Sequence, residues 1–281
     1  MAYAKMPSSR PDTRPVFWRD PRMPQVELRH IDDGRSIGYA PHSHAQWSLG
    51  AITAGESTFF YRREQHLVGA GDLVLMNPDW VHACNPVEGK PWAYFMMYVD
   101  AGWLARLRFD AGLLPDEQWR DLATAVIGER HWFEEYRRLA ACLLAPNRPL
   151  LQKQTALVEY LTGLMQSLSG QPAPRSAPVP ARLQRLAGHL DAHCLEEVSL
   201  DDLCALSGYS AGHLVRGFRQ HFGITPHAYL VNRRIQLGQR QLKAGMPIAE
   251  VALNMGFSDQ AHFQRVFKRL VAATPAQYRS K

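Results

Sequence analysis

Cysteine is scarce in this chain, and what there is does not come in pairs. The four cysteines, Cys84, Cys142, Cys194 and Cys204, stand far apart with no Cys-x-x-Cys spacing. That excludes a disulfide framework and a zinc ribbon, and it suits a reducing compartment. Long apolar runs are missing too. No stretch of 18 apolar residues occurs, so no transmembrane helix is expected. The Pro- and Arg-rich start through Pro24 lacks the apolar centre of a signal peptide, and a cytoplasmic protein without membrane contact is the expectation. Over most of the chain there is no surplus of either charge: residues 1–180 hold 19 Lys/Arg and 19 Asp/Glu. The net charge of +6 comes entirely from residues 181–281, with 13 Lys/Arg against 7 Asp/Glu. A neutral front and a basic rear suit a rear that neutralises phosphates. A merely solvated basic tail would not carry the ordered apolar spacing found here.

A chain of 281 residues has room for two domains. Residues 1–25 read as an irregular arm, and residues 26–112 as a β-barrel. Its clearest strands are predicted over 46–53, 57–61, 73–76 and 92–99, between turns at Ala54-Gly55, Gly69-Ala70-Gly71, Asn77-Pro78 and Glu88-Gly89. Short strands of this kind suggest a sandwich or a small barrel. From Trp103 the period turns helical. Three amphipathic helices are predicted over 115–127, 129–144 and 149–168, within a helical and dimerisation segment spanning 113–170. Residues 171–180 form a linker whose four prolines forbid helix and sheet and act as a semi-stiff spacer.

Residues 181–281 are all helical in pattern, and they repeat. Gly208-Tyr209-Ser210 reappears as Gly256-Phe257-Ser258, and His213, Phe218, Thr225-Pro226 and Tyr229 reappear as His262, Phe267, Thr274-Pro275 and Tyr278. Two copies of one unit, joined by a long helix from about Pro226 to Ala244, are therefore expected. In the second copy Ile248–Ala252 reads as a short helix, and Gly256 as a turn residue free to take positive φ. Ser258 is the predicted N-cap of the next helix. Phe263, Val266, Phe267 and Leu270 fall on its buried face, opposite Gln260, His262, Gln264, Arg265, Lys268 and Arg269. Helix, glycine turn and basic amphipathic helix make a helix-turn-helix whose second helix enters the major groove of double-stranded DNA. In the first copy Ser199 and Asp202 have capping-box spacing, and the reading helix runs over 211–221 with His213, Arg216, Arg219 and Gln220.

The run Ile248-Ala249-Glu250-Val251-Ala252, then Gly256-Phe257, Phe263-x-Arg265-x-Phe267-Lys268 and Thr274-Pro275-x-x-Tyr278-Arg279, resembles the signature of the AraC/XylS family of bacterial transcription regulators. The resemblance extends over 181–281, with Ala272 standing where the family usually has glycine. It implies two reading helices in successive major-groove segments, promoter DNA and RNA polymerase as partners, and a homodimer. By motif position the DNA-facing residues are Gly212, His213, Val215 and Arg216 in copy one, and Gln260, Ala261, His262, Gln264 and Arg265 in copy two. Arginine pairs with guanine and glutamine with adenine, so Arg216, Gln260, Gln264 and Arg265 are the candidates for base readout. Each is equally a candidate phosphate contact.

Pro41-His42-Ser43-His44, Gly55, Gly71-Asp72 and Asn77-Pro78-Asp79-Trp80-Val81-His82 more loosely resemble the cupin-like sensor of the same family. His42, His44 and His82 fall at the spacing of three cupin metal ligands, whereas Ser48 and Leu49 occupy the place of the fourth, a glutamate. Three imidazoles can hold Zn²⁺, Fe²⁺ or Ni²⁺, or they can be hydrogen-bonded fixtures of a pocket needing no cofactor. Trp47, Tyr94 and Met96, with Trp80, are expected to wall an apolar effector pocket with these histidines, though each is also ordinary barrel core. The leading expectation is a transcription regulator, not an enzyme, that answers to a small molecule bound in the barrel. Its rivals are a metal-dependent cupin enzyme with a DNA-binding tail, and a β domain serving only to dimerise.

Overall fold

Strand β3 (Trp47–Tyr61) is the spine of the N-terminal half in the computed structural model, which describes residues 15–35, 37–87, 90–169 and 179–279. Its first half pairs antiparallel with β5 (Leu73–Met76) and β7 (Trp92–Val99). Its second half pairs with β4 (Glu64–Gly69) and β6 (His82–Pro86). The change of partners is made at a bulge, where the register against β7 slips between Ile52 and Ala54. Gly55 follows at φ +73°, and a Cβ there would lie 2.0 Å from the Pro91 carbonyl oxygen, so only glycine fits. The sequence pattern suggests two strands and a turn here; the glycine instead bends one continuous strand.

Side chains alternate along β3, and the alternation sorts them into two cores. Trp47, Leu49 and Ala51 join the core covered by α2 (Arg130–Leu144) and α3 (Leu150–Leu168). Ile52 joins Val74, Met76, Tyr94 and Met96 inside the sheet domain. The apolar stripes of α2 and α3 match the expected helices closely. Tyr136 on α2 also donates its hydroxyl to the Leu49 carbonyl at 3.0 Å.

Two further expectations for this half are corrected. Residues 16–18 of the presumed irregular arm form β1 (Val16–Trp18), paired with β2 (Val26–Ile31), which pairs with β7. No helix forms over 115–127; after α1 (Ala101–Asp110) the chain runs irregularly into β8 (Val126–Ile127), which pairs with β5. Side chains outbid the helix there: Asp116 binds the Gln118 N–H, and Asn77 binds both the N–H and the carbonyl of Leu122. Residues 1–14 and 170–178, with most of the predicted linker, lie outside the described residues.

The C-terminal half holds two apolar cores strung on one long helix, α7 (Pro226–Lys243), close to its expected bounds. The first unit comprises α4 (Ala181–Ala192), α5 (Leu200–Ser207) and α6 (Ala211–Phe222); the second comprises α8 (Ile248–Asn254), α9 (Gln260–Val271) and α10 (Pro275–Arg279). Gly208 and Gly256, at φ +68° and +71°, make the turns before α6 and α9. Ser199 and Asp202 close the expected capping box on α5. At α9 the cap is Asp259 rather than Ser258: its Oδ1 accepts the His262 N–H at 2.6 Å. Both are good N-caps, and the ionised carboxylate makes the stronger bond at the positive end of the helix.

Candidate functional site

The two reading helices present the expected faces. On α6, Leu214 and Phe218 are buried while Gly212, His213, Arg216, Arg219 and Gln220 are exposed and Val215 is half-buried. On α9, Phe263, Val266, Phe267 and Leu270 are buried; Gln260, Ala261, His262, Arg265 and Lys268 are exposed, and Gln264 is half-buried. Arg216 and Arg265 form no ion pair among the described residues, which leaves both guanidinium forks free for phosphate or guanine. His213 packs on Tyr209 with ring centroids 4.6 Å apart, and His262 Nδ1 lies 3.3 Å from Ser258 Oγ. Arg219, Gln220 and Lys268 sit in the last turns. There Arg219 borders a hollow shared with Ala40 and Pro41 of the sheet domain, and the Gln220 carbonyl accepts a hydrogen bond from Arg63.

The three histidines do meet. Ring centroids of His42 and His44 lie 4.5 and 4.8 Å from that of His82, and 6.3 Å from each other. Each Nδ1 faces a carbonyl oxygen, of Ala40, Gln46 and Trp80, at 2.8–2.9 Å. A carbonyl only accepts, so each Nδ1 carries the proton and each Nε2 a lone pair. Ser48, standing where a cupin glutamate would, approaches His44 Nε2 at 3.4 Å. Burial, reinforced by His44, pushes His42 down to about 3. Burial likewise lowers His44 and His82. These are neutral, hydrogen-bonded rings. No group of three or more His, Cys, Asp or Glu among the described residues is placed to hold a metal ion, and no carboxylate joins the cluster, so the residues do not fit the cupin metal.

The histidines, Tyr94 and Met96 border an interior cavity of only about 20 Å³. Trp47 does not line it. Its indole lies on the opposite face of β3, fully buried in the core under α2 and α3, which corrects its expected role. Cys84 hydrogen-bonds Ser57 at 2.8 Å, and burial raises its thiol to about 12, which disfavours the thiolate.

Room for an organic molecule opens where the sheet domain meets the helices. A cleft of about 350 Å³ shares Tyr39, His42, His44 and Tyr98 with the interior cavity and is closed by α7, Val271 and Tyr278. Small-molecule sites have about this size. Loop 42–46 is tied to α7: Asn232 Nδ2 and Gln236 Nε2 donate to the Ser43 carbonyl at 3.1 and 2.7 Å. Glu27 on the cleft wall bridges Arg19 and Lys243 at 2.8 and 2.5 Å. Burial opposes its ionisation, but the two cations together hold it below the ordinary glutamate range. Arg29, 1% exposed, is the deepest cation in the cleft. It donates to the carbonyls of Val271 and Ala272 at 2.7 and 3.0 Å, its Nε finds no partner, and no carboxylate pairs with it among the described residues. Glu27, Arg29, Asn232 and Gln236 carry no motif that marks them in the sequence. Arg29 reads there as one more polar position on a strand.

Comparisons with known proteins agree with this anatomy. Residues 25–198 match the AraC-like ligand binding domain, and residues 203–281 match a helix-turn-helix domain. The chain is 29% identical over 245 residues to the uncharacterized HTH-type transcriptional regulator YbfI of Bacillus subtilis, covering 83% of this chain and 86% of that one. It is 27% identical over 250 residues to the arabinose operon regulatory protein of Salmonella typhimurium, covering 83% of each. Among solved structures, an apo point variant of ToxT from Vibrio cholerae shares the fold with a TM-score of 0.57 at 12% identity, over 90% of this chain and 96% of that one. Wild-type ToxT with a bound unsaturated fatty acid gives 0.55 at 12% identity, over 96% of each. A cupin-like antiparallel sheet domain for a ligand, joined to two helix-turn-helix units with exposed basic faces, places the chain in the AraC family of transcription regulators.

Proposed function

We propose that this regulator reads promoter DNA through the exposed faces of α6 and α9, and takes a small carboxylic acid as effector in the cleft at the barrel mouth. The observation that carries the effector class is Arg29. Its guanidinium is withdrawn from water with main-chain carbonyls but no carboxylate beside it, and its Nε has no partner; an anion in the cleft would pair with it through charge-assisted hydrogen bonds. The half-apolar surround, with Phe17, Ile235 and Leu270 beside it, suits an acid with a carbon body. ToxT, which shares the fold, was crystallised with an unsaturated fatty acid, a ligand of this chemistry. Such an effector acts on transcription by binding one arrangement of the two halves more tightly than another. Family membership supports RNA polymerase as a partner. The outer face of α3, with Leu151 and Val158 exposed, supports a homodimer seam, and the cysteine usage supports a cytoplasmic setting.

The test is a thermal-shift and calorimetry panel of carboxylic acids, each beside its alcohol or amide. Acids that stabilise the protein and change its operator affinity, with the effect lost in Arg29→Met, are the expected result. Equal shifts from the uncharged analogues, or unchanged acid binding in Arg29→Met, would refute the assignment.

A further inference from the structure

The two reading units are joined by α7, whose Arg234 donates to the carbonyls of Cys194 and Glu196 in the first unit and of Gly256 in the second. Their apolar cores are separate, one around Leu214 and Phe218 and the other around Phe263 and Phe267. One helix and its Arg234 thus link two separate cores directly. The sheet domain spans both units, and it grips each at the C-terminal end of its reading helix.

At α9, Arg29 takes the carbonyls of Val271 and Ala272, and the Ala40 N–H donates to the Arg269 carbonyl at 3.0 Å. At α6, Arg63 Nη2 donates to the Gln220 carbonyl. Final-turn carbonyls of a helix lack donors of their own, and a guanidinium there also meets the negative end of the helix dipole. Apolar contacts accompany both grips. Val81 is buried in the core of the first unit, 3.1 Å from where a Cβ on Gly223 would stand. Phe17 and Ala40 pack on the core of the second. The grips come from parts of one sheet: the turn between β3 and β4, the residues leading into β6, and β1 and β2.

We infer that the sheet domain sets the separation and angle of α6 and α9, and that Arg29 and Arg63 are positioning residues for operator spacing that never touch DNA. Two helices reading successive major-groove segments must stand about one helical turn, roughly 34 Å, apart. Two attachments to a third body, added to the link through α7 and Arg234, make the pair a gauge of that distance. The gauge rests on α6 and α9 being the reading helices.

The test uses the full-length protein and a duplex recovered by selection from a randomised pool. Derivatives of it carry one base pair inserted or removed between the two protected segments, which shifts one contact by about 3.4 Å along the axis. Wild type should lose about tenfold in affinity on either change, the equivalent of about 1.4 kcal/mol. Arg63→Ala and Arg29→Met should lose only about two- to threefold, on the same scale of affinity, and Arg29→Lys should recover part of the discrimination. Arg63 is exposed, so its variant should melt like wild type and separates positioning from folding. Wild-type discrimination in both Arg63→Ala and Arg29→Met would overturn the gauge, even if affinity fell equally at every spacing. Failure of wild type to select any duplex would instead remove the reading helices themselves, and the gauge with them.

Discussion

Acidification from pH 7 to 5 should loosen the sheet domain through the histidine cluster. Burial is the main reason that His42, His44 and His82 have low pKa values, about 3 for His42. The neighbouring charges divide: Asp79 favours a charged His44, Arg29 disfavours a charged His42, and the rings disfavour one another. A histidine lowered in the folded state gives stability that is complete above its ordinary value of about 6.5 and is lost as pH falls towards the folded value. At pH 5 an unfolded imidazole is nearly all protonated while His42, lowered to about 3, remains neutral. At about 1.36 kcal/mol per unit of pH below 6.5, His42 removes up to roughly 2 kcal/mol at pH 5. His42 keeps an edge open to solvent, so its share is discounted, and the losses through His44 and His82 run in the same direction. For a domain of this size a loss of about 2 kcal/mol lowers the melting temperature by several °C. Thermal melts at pH 7 and 5, on wild type and His82→Gln, measure it; the variant should show a smaller loss. Equal melting at both pH values, or an identical pH slope in His82→Gln, would refute the assignment of buried neutral rings.

Three further outcomes are expected. Arg265→Ala should cost about 1–3 kcal/mol of operator affinity with relaxed preference at one base pair; a uniform loss with a salt slope smaller by about one would mark a phosphate contact instead. Gly55→Ala should destabilise by well over ~3 kcal/mol in a denaturant melt, because the new Cβ would strike the Pro91 oxygen and φ is +73°. Ala272→Gly should change stability by less than about 1 kcal/mol. The left-handed backbone at φ 52° costs alanine about 1–2 kcal/mol, but glycine gives up the packing of a buried methyl worth about 0.8 kcal/mol and adds unfolded-state freedom.

Local rules carried the C-terminal half into view. Gly208, Gly256, the Ser199–Asp202 box and the three-and-four spacing of Phe263, Val266, Phe267 and Leu270 each act within a few residues. The cap on α9 is a choice between adjacent residues of similar quality, which spacing alone does not decide. In the sheet domain, strands are visible as segments, but which side each residue faces is not. Trp47 lies three residues from His44, and nearness in sequence puts the two together. Strand alternation sends it to the other core with Leu49 and Ala51, and that parity follows only once the start of β3 is known. Over 115–127 an apolar period is present, but Asn77, far upstream, takes the Leu122 backbone.

The coupling between the halves is the least legible part, and the reason is physical. Arg29 meets its carbonyls 242 and 243 residues away, and nothing near it in sequence marks a strand arginine as buried. A buried cation is tolerated where the fold supplies acceptors at fixed places, and here the acceptors are main-chain atoms, which no residue type advertises. The same holds for Ser43, whose carbonyl receives Asn232 and Gln236. An interface made from side-chain donors on one half and backbone carbonyls on the other tolerates substitution on the carbonyl side provided the backbone keeps its path. The donors are the sensitive partners. Replacing Arg29 or Asn232 should therefore change the response of DNA binding to effector, measured as operator affinity with and without the acid. Ser43→Ala should change it little, because the side-chain hydroxyl supplies only one of the three bonds at that position.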